Sequence, residues 1–295
     1  MAWRGLHLSQ AARLFLADGQ MVIEQADGVV RLAIEDLAWV ILDTPQATLS
    51  AALLSACMEG GVAVIATDSH HMPNGILLPF HGHHRQADMA WRQVEMGVPL
   101  KKRLWQAIVR RKIHNQAAAL AATGCEGAAT LAEMAGHVGS GDPDNVEARA
   151  ARFYWPALFA NFHRDDGADR RNKMLNYGYA VIRSAIARAL VANGLLPAFG
   201  LHHASITNAF NLADDVIETF RPFVDILVHA HASNDRQGEL SLADRRAVAT
   251  VLLGEARMEG EVVILLTASE QVSESLVRAI TTNDATALTL PNLPS

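Results

Sequence analysis

Five side chains within one short apolar stretch carry the first chemical signal in this chain. From Gly200 to Pro222 the sequence reads Gly-Leu-His-His-Ala-Ser-Ile-Thr-Asn-Ala-Phe-Asn-Leu-Ala-Asp-Asp-Val-Ile-Glu-Thr-Phe-Arg-Pro, which gathers His202, His203, Asp214, Asp215 and Glu218. Phe210, Leu212, Val216, Ile217 and Phe220 recur at steps of three and four, the period of a helix beginning near Asn208. Pro222 marks its expected stop. On such a helix Asp215 and Glu218 stand three apart and project from one face. Carboxylate oxygens beside an imidazole favour a hard divalent cation. Acids in a first helical turn also favour the positive end of the helix dipole. That accounts for Asp214 without a ligand role, while for Asp215 and Glu218 both readings stand. His202 and His203 are neighbours, so on an extended loop they point opposite ways and at most one joins a given site.

A further carboxylate, Glu147, opens a separate helical pattern after Asp142-Pro143-Asp144-Asn145-Val146. Asp144 followed by Glu147 has the spacing of a capping box, and spacing alone favours that reading. Yet Glu147 also lines up with Ala151, Tyr154 and Leu158 at the head of an apolar stripe. A half-buried carboxylate there needs a partner.

Cations are unevenly spread. Lys101, Lys102, Arg103, Arg110, Arg111 and Lys112 fall on one expected helix, around Trp105, with no acid between Glu95 and Glu126. Most such faces are merely solvated, but aligned cations can also neutralise phosphates. Arg149, Arg152, Arg164, Arg170, Arg171 and Lys173 add positive charge around Glu147. Carboxylates beside many arginines fit a polyanionic substrate better than a neutral one. His70, His71, His81, His83 and His84 make a second imidazole-rich stretch. Zinc is one reading, but no cysteine or acid sits at ligand spacing, so a solvated loop is preferred, with phosphate contact alongside Arg85 as a further reading.

Composition bounds the rest. The chain has 295 residues, half hydrophobic, and a net charge of −6 that does not announce a nucleic-acid binder. Cys57 and Cys125 are the only cysteines, which argues against a disulfide scaffold and fits a reducing cytoplasm. No run approaches the ~20 apolar residues of a membrane span, and no export signal opens the chain. A Gly-rich phosphate loop, a nucleophile elbow and a paired-cysteine motif are all missing.

The elements that must position these residues fall into two blocks. Residues 1–85 read as a small β-sheet domain. Strands are expected at Ala12–Ala17, Gln20–Gln25, Gly28–Ala33, Leu37–Leu42, Val62–Thr67 and Gly75–Pro79, with turns at Asp18-Gly19 and Asp27-Gly28 and one helix over Thr48–Met58. Residues 86–295 read as a larger, all-α domain that carries the candidate site residues, so the fold class is α+β. Its helices are expected at Ala87–Glu95, Leu100–Ala122, Ala128–His137, Val146–Ala160, Asn172–Asn193, Leu242–Leu253 and Glu261–Ile280, with a loose tail at Pro291–Ser295.

Three blocks, in order, resemble the Cas-one family, the CRISPR-associated integrases of the adaptation module, in the shorter form of type II systems. They are Glu147-Ala148-Arg149-Ala150-Ala151-Arg152-Phe153-Tyr154-Trp155; Asn172 to Ala180 with Gly194-Leu195-Leu196-Pro197; and Gly200 to Pro222. The resemblance spans nearly the whole chain. It implies that Glu147, one histidine of the pair and Glu218 bind Mg2+ or Mn2+. In the family the histidine lies twelve residues before the aspartate of an Asp-x-x-Glu pattern, which selects His203 and leaves Asp215 and His202 auxiliary. It also implies a prokaryotic, cytoplasmic homodimer, two of which flank a dimer of the small partner Cas-two. DNA, as prespacer and CRISPR repeat, double-stranded or branched, would be held by cations such as Arg85, Arg149, Arg164 and the Lys101–Lys112 series. The implied reaction is attack of a 3′-hydroxyl on a phosphodiester, inserting short foreign DNA into the CRISPR array. The competing reading is a non-catalytic DNA-binding scaffold dimer with a decayed site.

Overall fold

A computed structural model describes residues 4–79, 83–231 and 237–294. The chain divides into two compact units, Met1–Gly82 and His83–Ser295. The first holds β1 (Arg4–Leu8), β2 (Ala12–Ala17), β3 (Gln20–Gln25), β4 (Gly28–Ala33), β5 (Leu37–Leu42), β6 (Ala47–Leu49), α1 (Ala51–Glu59), β7 (Ala63–Thr67) and β8 (Pro73–Leu77). These strands form two sheets, ordered β1-β5-β7-β8 and β4-β3-β2-β6. β2, β3 and β4 make an antiparallel meander. Its first turn, Asp18-Gly19, has positive φ at both positions, which matches the right-handed twist of the strands. The second turn is Ala26-Asp27, one residue earlier than the sequence suggests, because Gln25 pairs with Gly28. Leu14, Leu37, Leu53 and Val64 meet in the unit's apolar core. The expected helix from Thr48 starts at Ala51 instead, since Thr48 belongs to β6 and Ser50 accepts the Leu53 N–H as the cap.

The second unit holds α2 (Gln86–Glu95), α3 (Val98–Ala122), α4 (Ala128–Gly136), α5 (Val146–Leu158), α6 (Arg170–Ala192), α7 (Asn211–Ile217), α8 (Arg221–His231), α9 (Leu242–Ala249), β9 (Glu255–Met258), β10 (Glu261–Ile264) and α10 (Leu265–Thr282). It is therefore not all-α. β9 and β10 form a hairpin turned at Glu259-Gly260, both at positive φ. The run Glu-Val-Val-Ile alternates too little to separate strand from helix by period alone, and the expected helix over Glu261–Ile280 begins four residues late. The tail is not loose either. Asn292 exchanges backbone hydrogen bonds with Arg257. Buried Asn115 of α3 donates to the Pro291 carbonyl and accepts from the Leu293 N–H.

The long helices α3 and α6 form the frame. α3 packs on α4, α5 and α8, and α6 packs on α7, α8, α9 and α10. At Gly178 of α6 a Cβ would lie 2.5 Å from Val224 Cγ1, so glycine permits the close approach of α8. One element differs in a way that matters for the site. The helix expected to run from Asn208 to Phe220 ends at Ile217, and Glu218–Phe220 form a turn before α8. Pro222 does not stop a helix but sits in the first turn of α8, where no backbone donor is needed.

Candidate active site

Glu147 is released from the capping role by a different residue. Asp142 accepts hydrogen bonds from the N–H groups of Val146 and Glu147 at 2.9 and 3.0 Å. Asp142 thus satisfies the start of α5, Asp144 does not, and the Glu147 side chain is free to turn elsewhere. It reaches Lys112 on α3. The same ammonium contacts Glu218, so one nitrogen stands between two carboxylates distant in sequence. Lys112 is only 7% exposed and Glu218 6%. Burial alone would pull the lysine toward its neutral form, but Glu218 and Glu147 outweigh it and hold the ammonium charged. Burial likewise works against ionised Glu218, yet Arg221 and Lys112 lower its pKa to about 2. Arg221 Nε fixes the other Glu218 oxygen at 2.8 Å.

Asp215 lies within α7 and Glu218 at its C-terminal cap, where the backbone keeps helical φ and ψ. Asp215 is fully buried and turns to the loop before its helix. It accepts the N–H groups of Leu201, His202 and His203, and His203 Nδ1 lies 2.7 Å from its Oδ1. Gly200 makes this wrap possible, since a Cβ there would meet the His203 carbonyl at 2.2 Å. The Asp215 hydrogen bond raises the pKa of His203, with burial opposing it. Glu218 also acts on His203 through its charge. A carboxylate that holds Nδ1–H leaves the lone pair on Nε2, the arrangement that orients ligating histidines. His202 stacks on Trp105, with ring centroids 4.3 Å apart and planes at 2°, and its ring lies edge-on 5.6 Å from that of His203, so the two neighbours do not point opposite ways as an extended loop would have them. Trp105, buried on α3, meets the edge of His203 as well. Trp105 and Lys112 lie seven residues apart on α3, so one helix face props the histidine loop and carries the ammonium. A cleft of about 460 Å³ opens beside His203, lined also by Lys101, Ser205 and Asn211.

As the side chains lie, no three His, Cys, Asp or Glu residues among the described ones are placed to hold a metal. The donor set nevertheless fits one. An ammonium already stands where Glu147 and Glu218 meet, so the position accepts a cation. Glu218 Oε2 is buried and meets Lys112 off the hydrogen-bond line, which leaves it acceptor capacity. The charged environment from Arg221 keeps that carboxylate ionised.

The remaining expected cations separate into groups. Lys102, Arg103, Arg110 and Arg149 are exposed, while Lys101 and Arg111 are half-buried. Arg110 donates to the Val138 carbonyl. Arg85 is exposed and pairs with Asp88 at 2.6 Å. Arg164 bonds Asn172 and Asn176 and lies over the Trp155 and Tyr179 rings. Lys112 departs most from its sequence reading, being interior rather than part of a solvated face. Its signal was present: it falls on the stripe of Trp105, Ile108 and Val109. Of the histidine-rich stretch, His71 binds buried Asp43 at 2.7 Å, opposite His7 at 3.2 Å, so an acid does sit there. The His83 and His84 rings meet at a tilt of 33° with centroids 4.5 Å apart, and His81 lies outside the described residues.

Sequence reasoning missed a second network. Asp225 of α8 is buried and accepts the hydroxyls of Tyr154, at 2.9 Å, and Tyr179. Arg221 lies 4.5 Å over the Tyr179 ring, which links this network to Glu218. Burial raises the Asp225 pKa from 3.8 to about 7, against the opposing pull of the two hydroxyls, Arg221 and Arg164. The folded protein therefore keeps this proton at pH values where the unfolded chain has lost it. Stabilisation from Asp225 is full below about pH 4 and is lost as the pH rises through about 7. Urea midpoints of the wild type, referenced to Asp225→Asn, are expected to fall across that window and level off above it. A flat difference would contradict the assignment.

A mixed α+β fold with N-terminal sheets and a mostly helical remainder, carrying glutamates from α5 and the α7–α8 turn beside an Asp-held histidine, defines a narrow class. The family model "CRISPR associated protein Cas1" matches residues 6–259, and the chain belongs to that family. It is 38% identical over 296 residues to the CRISPR-associated endonuclease Cas1 of Neisseria meningitidis strain 8013, covering 99% of this chain and 97% of that protein. A casposase bound to integration product has the same fold, with a TM-score of 0.77, 16% identity and coverage of 97% and 93%. A partial Cas6-RT-Cas1–Cas2 complex does as well, with a TM-score of 0.64, 19% identity and 99% of both chains covered.

No helix among the described residues is long and apolar enough to cross a membrane.

Proposed function

We propose that the chain is a divalent-metal-dependent DNA endonuclease and integrase of CRISPR adaptation. The observation that carries this is the meeting of Glu147 and Glu218 on one cationic nitrogen, beside a histidine whose Nδ1 is held by Asp215. Glu147, Glu218 and His203 Nε2 would hold Mg2+ or Mn2+. When bound, such an ion supplies Lewis-acid polarisation of a phosphoryl oxygen and eases deprotonation of the attacking hydroxyl. Asp215 orients the imidazole, and Arg221 restrains the Glu218 carboxylate. The exposed Lys102, Arg103 and Arg149 supply phosphate contacts that position DNA without reading its sequence. A 3′-hydroxyl attacks a phosphodiester of the repeat, the new P–O bond forms, and the displaced strand leaves with its own 3′-hydroxyl. Water as nucleophile gives nicking instead.

The relatives' names support the partners of this reading: an endonuclease, an integration product and a Cas1–Cas2 complex. Prespacer and repeat DNA, a second copy of the chain and a Cas-two dimer follow as its proposed partners, with a prokaryotic cytoplasm as the setting. The Lys112 ammonium between the two carboxylates is also what a decayed site in a non-catalytic scaffold would show. Purified protein incubated with branched DNA and Mn2+ separates the two. Strand transfer and nicking that vanish with chelator are expected. DNA binding with no products in Mn2+ or Mg2+ would establish the scaffold.

A further inference from the structure

Lys112 has no part in the reaction just described, yet it is the most buried cation on α3 and touches both glutamates of the site. Two neighbouring carboxylates, Glu218 buried and Glu147 half-buried, repel each other with nothing between them, and Glu218 also loses its hydration. Their separation from different elements, α5 and the α7–α8 turn, means that something must hold them together before an ion arrives. The ammonium does so in the metal-free protein. It also fills the point where both carboxylates converge, so it and a divalent ion compete for the same oxygens.

Building on the metal-site reading, we propose that Lys112 is an internal stand-in cation, which pre-positions Glu147 and Glu218 and must leave before a divalent ion binds. A lysine can do this where an arginine would not. Its single charged nitrogen sits on a flexible four-carbon stem that can swing aside without unpacking the helix. Nearby Arg221 keeps Glu218 restrained during the exchange, through the oxygen that Lys112 does not touch.

The exchange has a measurable consequence. The apparent affinity for the ion is the intrinsic affinity reduced by the fraction of molecules in which the ammonium has left. In Lys112→Met the stem volume stays and the charge goes. Mn2+ binding by titration calorimetry should then tighten by about tenfold or more, as expected if the ammonium is out in a tenth of molecules or fewer. The thermal midpoint without metal should fall, and Mn2+ should raise it by more than in the wild type. The wild-type protein gives a second readout that does not depend on the variant folding. Mn2+ should increase acylation of Lys112 by a water-soluble amine reagent, followed by peptide mass spectrometry, and chelator should reverse it. Unchanged or weaker Mn2+ affinity in a folded Lys112→Met, in a protein whose wild type binds Mn2+, would overturn the stand-in role alone. So would Lys112 reactivity that does not respond to bound Mn2+. Absence of Mn2+ binding in both proteins would instead remove the metal-site reading, and this inference with it.

Discussion

Glu147→Gln is expected to lower the rate of strand transfer on branched DNA by about a thousandfold or more, while the DNA dissociation constant stays within about twofold. The substitution keeps the volume at the head of α5. The helix start is unaffected, because Asp142, not Glu147, accepts its first N–H groups. Lys112 retains Glu218, so the interior cation is not left unpaired. What is lost is one of the two negative oxygen donors, and with it the ability to hold a divalent ion at the reacting phosphate. DNA affinity rests on exposed cations such as Lys102, Arg103 and Arg149, which the change does not touch. Single-turnover kinetics on a labelled branched substrate, paired with fluorescence anisotropy, check both halves. Full metal-dependent transfer by the variant would show that Glu147 is a structural carboxylate.

Asp215→Ala should have the largest effect on stability. This carboxylate is completely buried and is the acceptor for three successive N–H groups and the His203 ring. Each buried donor left without a partner costs about 1–3 kcal/mol. The losses are not additive, because the loop can rearrange toward water. A net fall in unfolding free energy on the order of 3 kcal/mol or more is expected, read from urea denaturation. Amide exchange at Leu201, His202 and His203 should accelerate in step. Asp215→Asn should retain part of the stability, since one side-chain oxygen can still accept, but not the orientation of His203, where an amide N–H would face the ring. A variant within about 0.5 kcal/mol of wild type would mean that the loop is held by something else, such as the stacking of His202 on Trp105.

Much of this was legible before the structure, and the gaps have physical causes. β3, β4 and β5 carry β-branched pairs and β2 an apolar run, and Gly19 and Gly28 punctuate the meander, so local pattern sufficed there. α3, α5 and α6 are long enough for the 3.6-residue period to be unmistakable. The hairpin of β9 and β10 was not legible, because four-residue strands carry too little period to outvote the helix beside them. The stop at Ile217 was hidden for a related reason. Apolar spacing continues through Phe220 across a turn that joins two helices, and Pro222 signals a boundary without saying on which side of it the helix lies. At the candidate site, residue types and spacing singled out Asp215, Glu218 and one histidine of the pair but left ligand and capping readings of the acids open, and only the resemblance chose His203 and preferred a ligand role for Glu147 and Glu218. The pairing partners could not be read. That Asp142 rather than Asp144 caps α5, that Lys112 leaves the basic series to join two acids, and that Asp225 accepts two tyrosines are tertiary facts. They depend on which helix faces which, and the basic run around Trp105 looks like a solvated face until Trp105 is seen to be buried.

The account turns on whether Glu147, Glu218 and His203 can share one ion. Anomalous diffraction from crystals soaked in Mn2+ tests this most directly. A single anomalous peak within bonding distance of the Glu147 and Glu218 carboxylates and His203 Nε2, with the Lys112 ammonium displaced, is the expected result. No peak among these three residues at saturating Mn2+, or a peak held by other side chains, would contradict it.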